Sequence, residues 1–290
     1  MAKRDWQQLL PRIERVLALA ERWLAGPPEG APEDAQAWAY RWRGRLEPIH
    51  HPDLYPLDGL IGVERSVSRL RANAAAFVAG SPALDVLLYG ERGTGKSSAV
   101  RGLLRELGPK GLRLVEIRRA DLSDLPGIYA ALRERPERFA LFCDDLSFEP
   151  GDSSYKELKA VLDGGLEARP ANMILLATSN RRHLIPEFAS ENLEAVISPE
   201  GELHPGETAE EKISLSDRFG LLLPFLSFNQ DTYLRIVDYH ARELGLAERL
   251  PREELQARAL RFALDRAGRS GRTARQACIA LLQEVEGRAT

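Results

Sequence analysis

The chain contains little cysteine and no long uncharged apolar run. Only two of its 290 residues are cysteine, Cys143 and Cys278, which lie far apart and outside any CxxC pattern. This scarcity argues against a disulfide-stapled secreted scaffold and favours a reducing compartment. No uncharged stretch approaches the ~20 residues of a transmembrane helix, and charges interrupt the N-terminal region where a signal peptide would lie. We therefore expect a soluble, cytoplasmic protein without membrane association.

The chain also lacks a large excess of either charge. Its 40 basic and 43 acidic residues give a formal net charge of −3 and a sequence pI of about 6.1. A chain of this charge has no overall attraction to nucleic acid or to an anionic membrane, although a local basic patch remains open. Hydrophobic residues make up 44% of the sequence, which is enough to bury a core and excludes global disorder. The length predicts two domains, or one large domain with a smaller one.

Tryptophan is confined to the N-terminal part of the chain, which differs from the rest. Apolar residues recur at helical spacing from Trp6 to Leu24, and residues 32–42 form a second helical stretch. A connector rich in proline and histidine follows at 47–58. We therefore predict a helical appendage at residues 1–46. Aromatic and basic residues interleave from Trp38 to Arg45, as in single-strand nucleic-acid binders, but packing of these aromatics on the main domain is the favoured interpretation.

Short apolar runs alternate with amphipathic segments from residue 57 onwards. Such alternation predicts a parallel sheet covered by helices on both faces. The predicted strands are Leu84–Tyr89, Leu112–Ile117, Phe139–Cys143, Met173–Thr178 and Leu221–Phe228. The last run contains Pro224, which favours an edge position in the sheet.

Three helices are predicted after the last strand. Asn229 is a suitable N-cap and Gly245 a suitable terminator for the first of them. The predicted ranges are Gln230–Leu244, Pro251–Ala267 and Thr273–Val285. The predicted organisation is thus an α/β domain at residues 47–228 and a helical subdomain at 229–290.

The segment Gly90–Ser97 fits the pattern GxxxxGK[ST], between a predicted strand and a predicted helix. Its glycines permit backbone conformations in which successive N–H groups point at phosphate oxygens, and the helix N-terminus adds positive charge. Lys96 is expected to reach the β- and γ-phosphates, and the Ser97 hydroxyl to ligate Mg²⁺. The predicted ligands are therefore ATP and Mg²⁺. The predicted phosphate contacts are Gly90, Glu91, Arg92, Gly93, Thr94, Gly95, Lys96, Ser97 and Ser98.

Two carboxylates follow the apolar strand that ends at Cys143. Open α/β sheets bind ligands at the carboxyl ends of their strands, so Asp144 and Asp145 are placed at a candidate site. Asp144 is the candidate Mg²⁺ ligand, through water, and Asp145 would orient or deprotonate the attacking water. A helix cap is the alternative explanation for an acidic strand end.

These motifs together resemble an AAA+ ATPase. The segment Leu57–Gly62 resembles the family's adenine-flanking segment, which implies nucleotide contacts from Ile61 and Gly62. The end of the fourth strand resembles sensor 1 at Asn180, the stretch 216–219 resembles the arginine-finger box at Arg218, and Gly271–Arg272 resembles sensor 2. The resemblance implies a five-stranded P-loop sheet with a C-terminal helical lid. The catalytic set that it implies is Lys96, Asp145, Asn180, Arg218 and Arg272, with Arg269 and Arg275 as rivals of Arg272.

More narrowly, residues 55–290 resemble a bacterial AAA+ family catalogued only as a domain of unknown function. This resemblance implies ATP binding and names no substrate. If Arg218 acts on a neighbouring subunit, the chain forms a homo-oligomer, a ring such as a hexamer. The sequence departs from the AAA+ pattern at Asp145, where the family usually has glutamate, and Glu149 is a second candidate for placing water. It also lacks the aromatic loop of threading unfoldases at residues 118–126.

The functional hypotheses follow from these residues. The leading hypothesis is a Mg²⁺-dependent ATPase that remodels or loads a macromolecular partner. The alternatives are a nucleotide-gated binding module with little or no turnover, and a P-loop kinase with a small acceptor. The basic turn 181–183 could contact phosphate or a neighbour, and the long polar segment 191–212 is expected to face a partner. The identity of that partner, as protein, DNA or RNA, is left open.

Overall fold

The computed structural model describes residues 37–148, 158, 169–180, 196–197, 203–204, 218–266 and 268–287. The chain divides into two compact units, Met1–Ala37 and Trp38–Thr290, and nearly all described residues belong to the second. Several predictions fall outside the described residues. They are the N-terminal helical stretch up to residue 36, Glu149, the turn 181–183 and most of the segment 191–212.

Seven strands form one sheet within the described part of the chain. They are β1 (Ala39–Trp42), β2 (Leu46–Ile49), β3 (Val86–Gly90), β4 (Leu112–Ile117), β5 (Arg138–Cys143), β6 (Met173–Ser179) and β9 (Leu221–Phe225). Their order is β2-β1-β4-β5-β6-β3-β9, and all neighbours are parallel except the β1–β2 pair. The strands β7 (Val196–Ile197) and β8 (Leu203–His204) form a separate antiparallel pair. The predicted α/β fold class is confirmed, with seven strands in the sheet where five were predicted.

The two additional strands lie where a helix and an irregular connector were predicted, and that prediction is wrong for residues 39–49. β1 pairs in parallel with β4, with Ala39 opposite Leu114, and Gly44 at φ 72° allows the tight turn into β2. Tyr40 and Trp42 are buried at 2% and 4% exposure, so sheet burial outweighs the local helical spacing. The hairpin therefore belongs to the sheet and not to an appendage. The rest of the predicted domain division stays a proposal.

The hairpin's aromatic and basic residues are engaged within the fold. The Trp42 indole donates to the Asp124 carboxylate over 2.6 Å. Arg41 pairs with Glu116 at 2.6 Å, and Arg43 and Arg45 both lie near Glu47. Stacking of bases on Trp42 would require it to leave the core, so this geometry favours aromatic packing over single-strand binding.

Six α-helices surround or follow the sheet in the described residues. They are α1 (Glu64–Val78), α2 (Lys96–Leu107), α3 (Leu125–Leu132), α4 (Gln230–Glu243), α5 (Arg252–Asp265) and α6 (Gly271–Gly287). The Asn229 side chain accepts a hydrogen bond from the Thr232 backbone N–H at 2.8 Å, which confirms the predicted cap of α4. None of the helices in the described residues has the length and apolar character required to cross a membrane.

The order of the strands determines where the candidate site lies. β5 and β6 are buried along nearly their whole length, as expected for central parallel strands. β9 lies at the edge, as predicted from Pro224, which pairs with Tyr89 of β3. Because β3, β6 and β5 are adjacent and parallel, the segments that follow them meet at one edge of the sheet.

Candidate functional site

A cleft of about 480 Å³ lies at this carboxyl edge. It is bounded by the loop after β3, the ends of β5 and β6, the segment before α1, and the helices α4 and α6. The lining residues are Tyr55, Gly59, Leu60, Ile61, Arg92, Gly93, Thr94, Gly95, Lys96, Ser97, Ser98, Arg101, Asp144, Asp145, Thr178, Asn180, Phe228, Ile236, His240, Gly271, Arg272 and Arg275. The structure thus brings together most of the residues that were predicted from separate motifs.

The loop after β3 has a backbone that requires glycine. Gly90, Gly93 and Gly95 have φ values of 135°, 76° and 103°. A Cβ at Gly90 would lie 2.0 Å from the Phe225 carbonyl oxygen, and one at Gly95 would lie 2.7 Å from a Leu60 methyl carbon. Helix α2 begins directly after Gly95. This combination of turned backbone and helix N-terminus is the arrangement that binds phosphate.

Lys96 is buried beneath this loop at 7% exposure. Its ammonium donates to the carbonyl oxygens of Gly90 and Glu91 at 2.8 and 2.7 Å, and to Asn180 Oδ1 at 3.1 Å. Burial lowers the pKa of Lys96, and the nearby carboxylates of Asp145 and Asp144 oppose that shift. A phosphate group in the loop would take the place of these carbonyl and amide oxygens as the acceptor for the Lys96 ammonium.

The Asp144 carboxylate is paired with the loop serine. Its Oδ1 accepts hydrogen bonds from Ser97 Oγ at 2.7 Å and from Thr178 Oγ1 at 2.5 Å. A hydroxyl beside a carboxylate is the oxygen donor set that Mg²⁺ takes together with water and phosphate. The two residues predicted to hold the metal thus lie together, and they fit Mg²⁺ by donor chemistry.

Asp145 is held in an unusual conformation by the end of β6. Among the described residues other than glycine, only Asp145 has a positive φ, at 54°. Its Oδ1 accepts from Asn180 Nδ2 at 2.5 Å, and its backbone N–H donates to Thr178 Oγ1 at 2.9 Å. Thr178 therefore positions the Asp144 carboxylate and the Asp145 backbone. Thr178 was not predicted as a site residue. A threonine inside a buried strand gives no sign in the sequence that its hydroxyl contacts the end of the neighbouring strand, here β5.

The lid helix α6 begins against the loop. The Arg272 backbone N–H lies 3.3 Å from the Gly93 carbonyl oxygen, and the side chains of Arg272 and Arg275 line the cleft. Five cationic side chains (Arg92, Lys96, Arg101, Arg272 and Arg275) and two carboxylates (Asp144 and Asp145) line it, which leaves a formal charge of +3. The chain as a whole carries −3. Positive charge is therefore concentrated in this cleft, which suits a polyanionic ligand.

Four residues predicted for the site lie outside the lining of the cleft: Gly62, Gly90, Glu91 and Arg218. Arg218 precedes β9 and is half-buried, and two other residues of its motif, 216 and 217, lie outside the described residues. The Gly62 backbone N–H donates to Glu64 Oε1 at 2.9 Å, whereas Ile61 lines the cleft as predicted. Of the five residues predicted to be catalytic, Arg218 is the one that does not line the cleft.

Part of the lining of the cleft is apolar. Tyr55, Phe228 and Ile236 join Leu60 and Ile61 there, with His240 one helical turn beyond Ile236 on α4. None of Tyr55, Phe228, Ile236 and His240 was predicted. The i, i+4 spacing of Ile236 and His240 marks a shared helix face, but the sequence does not show that this face meets the sheet edge.

His240 should make stability depend on pH. Burial lowers its pKa to about 4, and the charge of Arg275 adds to the shift. The unfolded chain therefore binds more protons than the native state between pH 6.5 and 4, and native stability falls as the pH drops through this window. We expect a loss from this group of about 2 kcal/mol between pH 7.5 and pH 5. Urea denaturation at both pH values should show a smaller loss for His240→Gln. Equal losses in the two proteins would contradict the assignment.

The fold and the site define a P-loop type of core, with an α/β sheet followed by three helices. Residues 35–285 match the family model described as "Protein of unknown function (DUF815)", and the chain belongs to this family. The predicted resemblance to an AAA+ family of unknown function is thereby confirmed. No curated protein matches the chain.

Similar solved structures include the RuvB Holliday junction branch migration motor of Thermotoga maritima. It has 17% identity and a TM-score of 0.45, over 79% of this chain and 71% of that one. A variant of the same protein gives 17% identity with the same TM-score and coverage. Another variant, over 79% of this chain and 71% of that one, gives 16% identity and a TM-score of 0.45.

Proposed function

We propose that the protein is a Mg²⁺-dependent ATPase that couples ATP hydrolysis to the remodelling or loading of a macromolecular partner. The observation that carries this proposal is the buried Lys96 ammonium beneath a glycine-turned loop, with Ser97–Asp144 and Asn180–Asp145 pairs in the same cleft. Anion-binding backbone, a metal-binding oxygen pair and a positioned carboxylate are the three parts that phosphoryl transfer to water requires.

Each residue has a role in this mechanism. The loop amides and Lys96 would bind the phosphates, and Ser97 and Asp144 would hold Mg²⁺. The metal would neutralise charge on the phosphate oxygens. Asp145 would orient water or accept its proton, and Asn180 would fix the Asp145 carboxylate. Arg272 would stabilise charge from the lid side of the cleft.

Arg218 gives the reason for proposing an oligomer. It lies outside the lining of its own protomer's cleft. An arginine that acts across an interface contributes several orders of magnitude to phosphoryl transfer. We propose that Arg218 enters the cleft of a neighbouring protomer, in a closed ring such as a hexamer. A separate lid at residues 229–290 and a partner-facing role for 191–212 complete the proposal.

A nucleotide-gated binding module is the second candidate. The Asn180 amide is bonded to Asp145 Oδ1 at 2.5 Å, so this carboxylate oxygen is engaged with the protein. The aspartate side chain is also one methylene shorter than that of glutamate, so its carboxylate reaches less far into the cleft. Both features favour slow or absent turnover, with ATP binding acting through closure of the lid.

Phosphate release from ATP tests the proposed activity. We expect release that requires Mg²⁺, stops with EDTA, and falls about 100-fold in Ser97→Ala because a metal ligand is lost. Ser68→Ala, on the exposed face of α1, is the matched control and should keep the wild-type rate. Wild-type protein that binds ATP but releases no phosphate at any protein concentration would exclude the ATPase and favour the gated module.

A further inference from the structure

The phosphate loop itself contains an unpaired guanidinium. Arg92 stands between Glu91 and Gly93, is exposed, and lines the cleft. It has no hydrogen-bond or ion-pair partner among the described residues. Among the other arginines that line the cleft, Arg101 pairs with Asp53 at 2.6 Å, whereas the side chains of Arg272 and Arg275 also have no such partner among the described residues.

Arg92 lines the same cleft as Lys96 and Arg272. Three cations thus converge on one cleft. Repulsion among them destabilises this arrangement unless an anion lies between them.

The loop backbone fixes this convergence. Gly93, with φ 76°, packs so closely against α6 that an added Cβ would lie 2.7 Å from Ser270 Oγ and 3.3 Å from the Arg272 Cβ. Because the Gly93 carbonyl also accepts from the Arg272 backbone N–H, the tip of the loop is tied to the start of α6. The loop that carries Arg92 and the helix that carries Arg272 are therefore held against each other beside the cleft.

We propose that Arg92 is a further catalytic residue, which contacts the γ-phosphate of ATP bound in its own protomer; this inference rests on the proposed function. A planar guanidinium can donate two parallel hydrogen bonds to phosphate oxygens. In the reaction, water forms a bond to the γ-phosphorus, the bond to the bridging oxygen of ADP breaks, and the water proton passes to Asp145. Arg92 stabilises the charge on the γ-phosphate oxygens during this exchange. A single protomer then has basal turnover without the Arg218 of a neighbour.

Comparing ATP with ADP separates a γ-phosphate contact from a general effect on the loop. We expect Arg92→Ala to weaken ATP binding about tenfold more than ADP binding, as expected for one charge-assisted contact. Basal turnover of dilute protein at saturating ATP should fall at least about tenfold. Arg92→Lys should restore part of the ATP preference, since lysine retains the positive charge but lacks the planar guanidinium with its two parallel donors. Arg105→Ala, an exposed arginine of α2, is the matched control and should leave both affinities unchanged.

Each outcome decides the inference. Equal weakening of ATP and ADP would assign Arg92 to loop conformation alone and overturn the catalytic role. If the wild type binds ATP and Lys96→Ala prevents it, unchanged ATP and ADP affinities in Arg92→Ala overturn this inference and leave the proposed function standing. Failure of the wild type to bind ATP overturns both.

Discussion

Replacing Arg218 with alanine should lower the maximal rate of ATP hydrolysis by about 10³-fold while ATP still binds. The reason is that the loop, the metal pair and Lys96 belong to one protomer, whereas Arg218 lies outside that protomer's cleft. The measurement is steady-state ATPase activity against protein concentration, with oligomeric mass determined in parallel. Wild-type specific activity should rise with concentration as protomers assemble, and that of Arg218→Ala should stay low in protein that still assembles.

Mixing two impaired variants tests the shared site more strictly. A Lys96→Ala protomer should bind ATP about 100-fold more weakly but can offer its Arg218 to the intact cleft of an Arg218→Ala protomer. The mixture should therefore show more activity than the sum of the two variants alone. Arg261→Ala, an exposed arginine of α5, is the matched control and should behave as wild type. Specific activity that is independent of concentration, together with a normal rate for Arg218→Ala, would exclude a shared site.

Replacing Asp145 with asparagine should lower turnover by about 10²- to 10⁴-fold, the range for a general base, with ATP affinity nearly unchanged. The substitution keeps the size of the side chain beside Asn180 but removes the negative charge that orients or deprotonates water. Single-turnover phosphate release at saturating ATP measures this step, and equilibrium nucleotide binding checks that the cleft remains intact.

Asp145→Glu distinguishes the two proposed functions. If the short side chain limits turnover, the longer carboxylate should raise the rate or create one. Asp231→Asn, at the exposed first turn of α4, removes a carboxylate elsewhere and should change neither the rate nor the affinity. A normal rate in Asp145→Asn would show that another group places the water, and no gain in Asp145→Glu would argue against the gated module.

Most of the α/β core could be predicted because its strands, turns and phosphate loop are each marked by residues close together in the sequence. Central parallel strands are buried on both faces, so β5 and β6 are nearly continuous apolar runs bounded by turns. The loop was also predictable, since its glycines, lysine and serine must occur at fixed spacing. Pro224 marked the edge strand because it lacks the N–H that a further strand would need.

The remainder depends on partners distant in sequence. β1 has four residues and pairs with β4 more than 70 positions away, so no local period distinguishes it from the end of a helix. Thr178 acquires its role only when β6 lies beside β5. His240 faces the cleft only because α4 packs against the sheet edge. Tertiary packing decides all three positions, and sequence pattern alone does not report it.

Equilibrium binding of labelled ATP to wild type and Lys96→Ala, at matched Mg²⁺ and protein concentration, tests the central claim most directly. The account expects saturable binding by the wild type and an affinity lower by about 100-fold in Lys96→Ala, from the loss of charged hydrogen bonds to phosphate. Unchanged circular dichroism would show that the variant is folded. Equal binding by the two proteins, or no binding by the wild type, would contradict the assignment of this loop as the phosphate site.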